Sequence, residues 1–334
     1  MKSIRKTGRP SALRRTALLC AAAVGLGAGS ATWAQETKYP TRPIKLIVAT
    51  SAGGNSDLMA RMIGEKLGAA WGQAVIVEQR VGANGMIAAQ FVAKAPPDGY
   101  TVYLSLSSIV QNTLLQPLPG YKIEEFAPVT MVISIPIAMA VGGDVPVNTV
   151  PELMKLARDK PGSVSYGSYG TGSGAHIIGA ALAKAADVKL VHVPYKGEAA
   201  SYTDLVSGQL TSAFGSAGFY AAHVASGKVK LLAITGQQRM ARFPDVPTMA
   251  EAGYPGANLP GWAGLLMPAG TPQPIVAKFA AEVRKVLAMP DVRSRLDDMG
   301  FVPVGNTSQE FAQYLKTEAT AWSTIIKENN IKLD

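Results

Sequence analysis

Two short glycine-rich runs hold the residue types best suited to grip an anion. They are Ala52-Gly53-Gly54-Asn55-Ser56-Asp57 and Gly170-Thr171-Gly172-Ser173-Gly174-Ala175-His176. Each follows a strand-like run and opens a helix-like one. A glycine turn entering a helix leaves backbone N–H groups unpaired at the positive end of the helix dipole, which seats an anion. Two such seats on two lobes suggest a small acid held between them.

Other chemistries fit these residues poorly. The second turn resembles a dinucleotide fingerprint, with Ala175 in place of the third glycine. No acidic residue follows about 20 positions later to bind a ribose, because Asp187 is too early and Glu198 falls after a further strand and turn. No G-K-[ST] exists to make a P-loop. The three histidines lack metal-ligand spacing. His176, in the first helical turn after the second glycine run, either donates to a ligand or hydrogen-bonds its own loop. His192 alternates inside an apolar strand and reads as a core residue, and His223 as a helix-surface residue. No G-x-S-x-G is present, and Ser168 and Ser173 fail that spacing, so only a triad assembled from distant residues stays open. In the first turn Asn55 or Ser56 caps the helix. Asp57 would compete with an incoming anion and is assigned to structure, pointing away from any cleft. The residues therefore argue for binding without catalysis, metal or cofactor.

Composition narrows the class. The 334-residue chain carries 32 basic and 23 acidic residues, a net charge of +9. Lys2, Arg5, Lys6, Arg9, Arg14 and Arg15 precede a short apolar core at 17–28 and the small residues of Thr32-Trp33-Ala34. That is the layout of an export signal cleaved near Ala34, and the core is shorter than the about 20 residues of a membrane span. Arg14-Arg15 leaves the twin-arginine route open beside the general one. Cys20 follows Leu19, a residue too bulky for a typical lipobox. Without those six basic residues the mature chain is near +3, so its pI gives no case for nucleic acid. The only cysteine leaves as well, so a periplasmic product must be stabilised by its core rather than by disulfides.

The turns need elements to position them. Strand-like and helical patterns alternate, which predicts an α/β fold of mostly parallel sheets with crossover helices. Strands are expected over 44–50, 74–78 and 100–105, with helices over 56–70 and 86–94. A second series opens near Val129 with a strand over 133–141. It continues with helices over 150–158, 176–186 and 201–207 and strands over 163–166, 190–194, 210–214 and 229–235. A strand over 264–267 and helices over 272–288 and 308–329 complete the chain. This order predicts two lobes. Residues 35–137 begin lobe one, 138–260 form an inserted lobe two, and 261–334 return to lobe one. Crossing segments near 134–141 and 259–265 then make a hinge like that of periplasmic binding proteins.

Five strings carry a family resemblance: Tyr39-Pro40-Thr41-Arg42-Pro43-Ile44, Pro97-Asp98-Gly99-Tyr100, Val193-Pro194-Tyr195-Lys196-Gly197, Pro244-Asp245-Val246-Pro247-Thr248-Met249-Ala250-Glu251-Ala252-Gly253 and Pro268-Ala269-Gly270-Thr271-Pro272. In this order they resemble the Bug family, the extracytoplasmic receptors of tripartite tricarboxylate transporters. The resemblance implies a Venus-flytrap fold that binds an organic acid and presents it to a pair of membrane permease subunits, with the receptor a monomer and no nucleic-acid partner. A sensory subunit feeding a signalling partner would use the same cleft, and an exported hydrolase is the rival enzyme class.

Carried over by residue, the family's ligand loops fall on Ser51, Ala52, Gly53, Gly54 and Asn55, and on Tyr169, Thr171, Gly172 and Ser173, with His176 beyond. Ser107, Ser108, Gln111 and Asn112 form a further approach, and Tyr195, Gly215 and Ser216 complete the cleft. Asn112 as a cap and Tyr195 as a packing residue remain alternatives. The first loop lacks the family's usual prolines, reading Thr50-Ser51-Ala52. After Phe214 many members carry Asp or Asn, whereas Gly215-Ser216 stands here. A ligand ammonium would want a carboxylate there, so a ligand without an amino group is expected. Gly215, Ala217 and Gly218 would clear space, and Tyr169, Tyr195, Phe219 and Tyr220 would flank a flat ring. An aromatic dicarboxylate such as terephthalate is the favoured ligand, with aliphatic di- and tricarboxylates next.

Overall fold

The computed structural model describes residues 39–331. The expected export signal, its cleavage site near Ala34 and Cys20 lie outside the described residues. Eleven strands and ten α-helices follow. The first half begins β1 (Ile44–Val48), α1 (Asn55–Trp71), β2 (Val75–Gln79), α2 (Met86–Ala93), β3 (Thr101–Leu106), α3 (Ser108–Leu115) and β4 (Phe126–Ile135). Next come β5 (Ile137–Gly142), α4 (Val150–Asp159), β6 (Ser165–Ser168), α5 (Gly174–Ala185), β7 (Val191–Pro194), α6 (Glu198–Val206), β8 (Ser212–Ser216), α7 (Ala217–Ala225) and β9 (Val229–Ile234). The chain closes with β10 (Gly261–Pro268), α8 (Gln273–Ala288), α9 (Pro290–Asp298), β11 (Val302–Pro303) and α10 (Ser308–Glu328).

Local chemistry accounts for the elements. In β1 the side chains of Ile44, Leu46, Ile47 and Val48 are buried and Lys45 is exposed, the pattern of a strand covered on both faces. Helix α1 buries Met59, Ala60, Ile63, Gly64 and Leu67 along one stripe and ends at Gly72, whose φ of 64° suits a residue without Cβ. Thr149 caps α4 through the Glu152 amide, with proline in the first turn. Thr307 and Glu310 form a reciprocal capping box on α10.

The strands make two sheets, in the orders β11-β4-β10-β3-β1-β2 and β7-β6-β8-β5-β9. Both are mixed rather than mostly parallel. The β-α-β units pair in parallel, β1 with β2 and β3, and β6 with β7 and β8. The strands that carry the chain between sheets, β4, β5 and β10, pair antiparallel with their neighbours. A strand that enters a lobe from its partner runs against the strands of that lobe's β-α-β units. The single strand expected over 133–141 is two strands in different sheets, divided at Pro136, which has no N–H to continue a ladder. The return runs from β9 to β10. There the Asn258 side chain accepts from the Gly236 amide and donates to the Gly236 carbonyl, both at 2.8 Å. Helices α3, α7 and α9 carry no counterpart among the expected elements; each is short and lacks a clear apolar period.

One buried cluster draws residues from both sheets, including Ile47 and Tyr103 from one and Met139, Tyr166 and Phe214 from the other. It continues into Trp262 of β10 and Trp322 of α10. Both indole N–H groups donate to Oε1 of Glu318, at 2.6 and 2.9 Å. Burial pushes the Glu318 carboxyl up from 4.5 to about 7, against the pull of the two indoles. The folded state thus holds a proton that the unfolded chain has released, so this residue's contribution to stability falls as pH rises from about 4.5 to about 7. Glu318→Gln is expected to remove that loss. Denaturant midpoints at pH 5 and pH 8 should draw closer together in the variant than in the parent protein.

Candidate functional site

The site is a cavity of about 460 Å³ at the carboxyl ends of strands in both sheets, the usual ligand position in α/β folds. Helices α1, α3, α5, α6 and α7 all begin at its wall, through Asn55 and Ser56, Ser107 and Ser108, Ser173 and Gly174, Glu198, and Ser216. The first amides of a helix have no carbonyl one turn back to bond, so each helix start presents donors and partial positive charge. No Lys, Arg or His lies among the described lining residues. Any positive potential in the wall therefore comes from backbone amides rather than from side chains.

Each glycine turn is wired by an acceptor four residues on. The Gly53 amide donates to Oδ2 of Asp57 at 3.0 Å. Asp57 is 1% exposed and does not line the cavity; it also accepts from Arg61 Nε at 2.9 Å and Gln79 Nε2 at 2.5 Å. The Arg61 hydrogen bond, reinforced by the Gly53 amide, lowers its carboxyl from 3.8 to about 2. In the second turn the Gly172 amide donates to Nδ1 of His176 at 3.1 Å, which places the ring proton of a neutral imidazole on Nε2. That ring stacks on His192 at 3.8 Å, and His192 Nε2 lies 2.7 Å from Ser168 Oγ. Ser173 caps α5 and donates its hydroxyl to the Gly170 carbonyl at 2.6 Å.

Of the residues expected in the site, Asn55, Ser107, Ser108, Asn112, Tyr169, Thr171, Gly172, Ser173 and Ser216 line the cavity, as does Gln111. Ser51, Ala52, Gly53 and Gly54 form the exposed turn that leads to Asn55 and are not in the wall. His176, Tyr195 and Gly215 are not in it either. The His176 ring is engaged by its own loop, the second of its two sequence readings. The Tyr195 phenol donates to Asp204 at 2.7 Å. Asn112 is committed to Asn84, the two side-chain amides joining at 3.0 Å while Asn112 Nδ2 also donates to the Asn84 carbonyl.

Two supports for the expected ligand are corrected. The space left by glycine is filled: a Cβ on Gly215 would meet the Tyr220 ring at 3.0 Å, and one on Gly218 would strike the Met299 carbonyl. Of the four rings expected to flank a ligand, only Tyr169 lines the cavity, whereas Trp262 and Phe301 do so without having been expected. The second correction is electrostatic. Ser216 does have a carboxylate neighbour, because Glu198 accepts its amide at 2.6 Å and its hydroxyl at 2.9 Å. Glu198 is the one charged side chain among the described lining residues.

Asn84 and Glu198 had usable signals. Asn84 sits in Gly82-Ala83-Asn84-Gly85, a third glycine turn before a helix, whose four residues all have positive φ. Glu198 follows Gly197 as the first residue of a helix expected to begin only at 201. Trp262 and Phe301 come from distant segments, and no local pattern marks them.

Comparison with known proteins agrees with this geometry. The family model described as tripartite tricarboxylate transporter family receptor matches residues 59–331. Protein BugT of Bordetella pertussis is 30% identical over 309 residues, covering 92% of this chain and 95% of its own. Rpa4515 of Rhodopseudomonas palustris, solved with adipate, aligns with a TM-score of 0.76 at 31% identity, over 88% of this chain and 99% of its own. MatC of the same organism, solved with malate, aligns with a TM-score of 0.72 at 30% identity, over 86% and 100%.

Asp57 supplies a test of the first turn. Because its carboxyl is depressed in the folded state, the stability it contributes is present above about 3.8 and is lost as pH falls towards about 2. Asp57→Asn should flatten that acid limb, read as the change in melting temperature between pH 5 and pH 2.5.

Proposed function

The chain belongs to the tripartite tricarboxylate transporter receptor family, and we propose that it captures a small organic acid in this cavity and delivers it to membrane permease subunits. The family makes it a solute-binding receptor rather than an enzyme. The observation that carries the ligand class is the convergence of the starts of α1, α3 and α5 on one wall, apart from the α6 and α7 starts where Glu198 holds the Ser216 amide. Carboxylates accept well from such amides and from the hydroxyls of Ser107, Ser108 and Thr171. Two relatives of the same fold were solved with adipate and malate, both carboxylates.

Magnitudes allow this without an arginine clamp. Micromolar affinity corresponds to about −8 kcal/mol. Four to six charge-assisted hydrogen bonds at roughly 1.5–3 kcal/mol each supply that after ordering costs. Contact with both lobes gives the acid a way to favour a closed arrangement, since a ligand that binds open and closed forms equally shifts neither. Terephthalate remains a candidate through Tyr169, Trp262 and Phe301, beside aliphatic di- and tricarboxylates.

Calorimetry with malate, adipate, citrate and terephthalate tests the reading. At least one should bind, and Gly172→Val should weaken it by about tenfold or more, the size of one charge-assisted bond lost from the turn it reshapes, since the Gly172 amide itself is held by His176. Gly172 has a φ of 73°, so a branched residue reshapes the turn locally. Absence of binding by any organic acid, or unchanged affinity in the variant, would overturn the proposal.

A further inference from the structure

The Glu198 carboxylate faces the cavity without a counter-charge. It is partly buried, and no ion pair with it exists among the described residues. Its partners are the amide and hydroxyl of Ser216. Each of its oxygens takes one of those bonds, so each retains accepting capacity. The ionisable groups that share its field are Tyr169 and Tyr220, whose phenols burial holds neutral well above the usual range. A carboxylate so placed repels a second carboxylate and attracts a donor cation.

We propose that Glu198 sets specificity by accepting from an ammonium group of the ligand, so that the preferred solute is an amino-bearing acid and not a plain dicarboxylate. This rests on the organic-acid reading of the same cavity and sharpens it. The ligand carboxylate is held by the amides and hydroxyls at the other helix starts, while its nitrogen meets Glu198 at the junction of α6 and α7. An N–H donor is required, because a quaternary nitrogen has nothing to donate to the remaining lone pairs. Burial pushes the Glu198 carboxyl up, and the Ser216 bonds only partly offset this. An ammonium neighbour would hold it ionised, whereas a dianion would drive it to take up a proton.

The residue also braces the start of α7 through Ser216, and that role alone would leave ligand preference untouched. Glu198→Gln separates the two. The glutamine oxygen still accepts the Ser216 amide, and its NH₂ can donate to the hydroxyl, while the charge is gone. The test is calorimetry of wild type and Glu198→Gln with matched pairs, aspartate against succinate and glutamate against glutarate. Wild type should favour the amino acid in at least one pair. The variant should lose about tenfold or more of that preference, the size of one charge-assisted hydrogen bond. A wild-type preference for the dicarboxylates, or a ratio unchanged in the variant, would overturn the inference and leave the organic-acid reading standing. Failure of all four acids and of the earlier panel to bind would instead overturn that reading. A measurement on wild type alone guards against a variant that does not fold: in two buffers of different ionisation enthalpy, succinate binding should take up a proton and aspartate binding should not. Equal proton uptake by both would also refute the role of Glu198.

Discussion

The arrangement of this protein follows from gathering several helix starts around one space. A helix amide cannot be re-aimed without moving the helix, so the geometry of the cavity is set by how whole elements pack. Parallel β-α-β units deliver helix starts at the carboxyl ends of their strands, which is where α1 and α5 begin. The antiparallel strands have a different task. Through β4, β5 and β10 the chain crosses between sheets, and these crossings bring two sets of carboxyl ends to one cavity. The mixed sheets are therefore a consequence of the site's two-sided construction.

The donors at these helix starts are also rationed. Gly53 bonds to Asp57 and Gly172 to His176, each acceptor standing four residues after its glycine amide. The two turns thus share a device: a side chain from the first turn of the helix folds back and fixes the loop. Ser216 is fixed differently, by Glu198 from the neighbouring helix. These acceptors shape the loops and limit how many amides can reach an anion. In the third case the acceptor itself is part of the wall, so the same residue that shapes the loop also alters the charge seen by a ligand.

The C-terminal segment braces the cavity wall and also reaches the helices of residues 138–260 away from the crossings. Glu318 and Trp322 of α10 meet Trp262 of β10, a residue of the cavity wall. Met299 and Gly300 lie against Gly218 of α7, and Lys184 of α5 pairs with Glu328 at 2.9 Å. Position 218 tolerates no side chain because another stretch of backbone occupies the space. Seen from the sequence, a glycine there reads as room for a ligand; its purpose is close approach between elements.

What the sequence by itself determined is local. The glycine turns and most strands and helices are legible because each depends on neighbours within a few residues, through φ and the periodicity of apolar side chains. The strings shared with the Bug family extended that to the class of protein. Only the tertiary structure decided what each turn does with its donors and what charge lines the cavity. Gly215-Ser216 carries no acid in its own segment, yet packing of α6 against β8 sets Glu198 on it. Electrostatic fields act through space at a few ångströms, without regard to separation along the chain, and a linear reading has no measure of that distance.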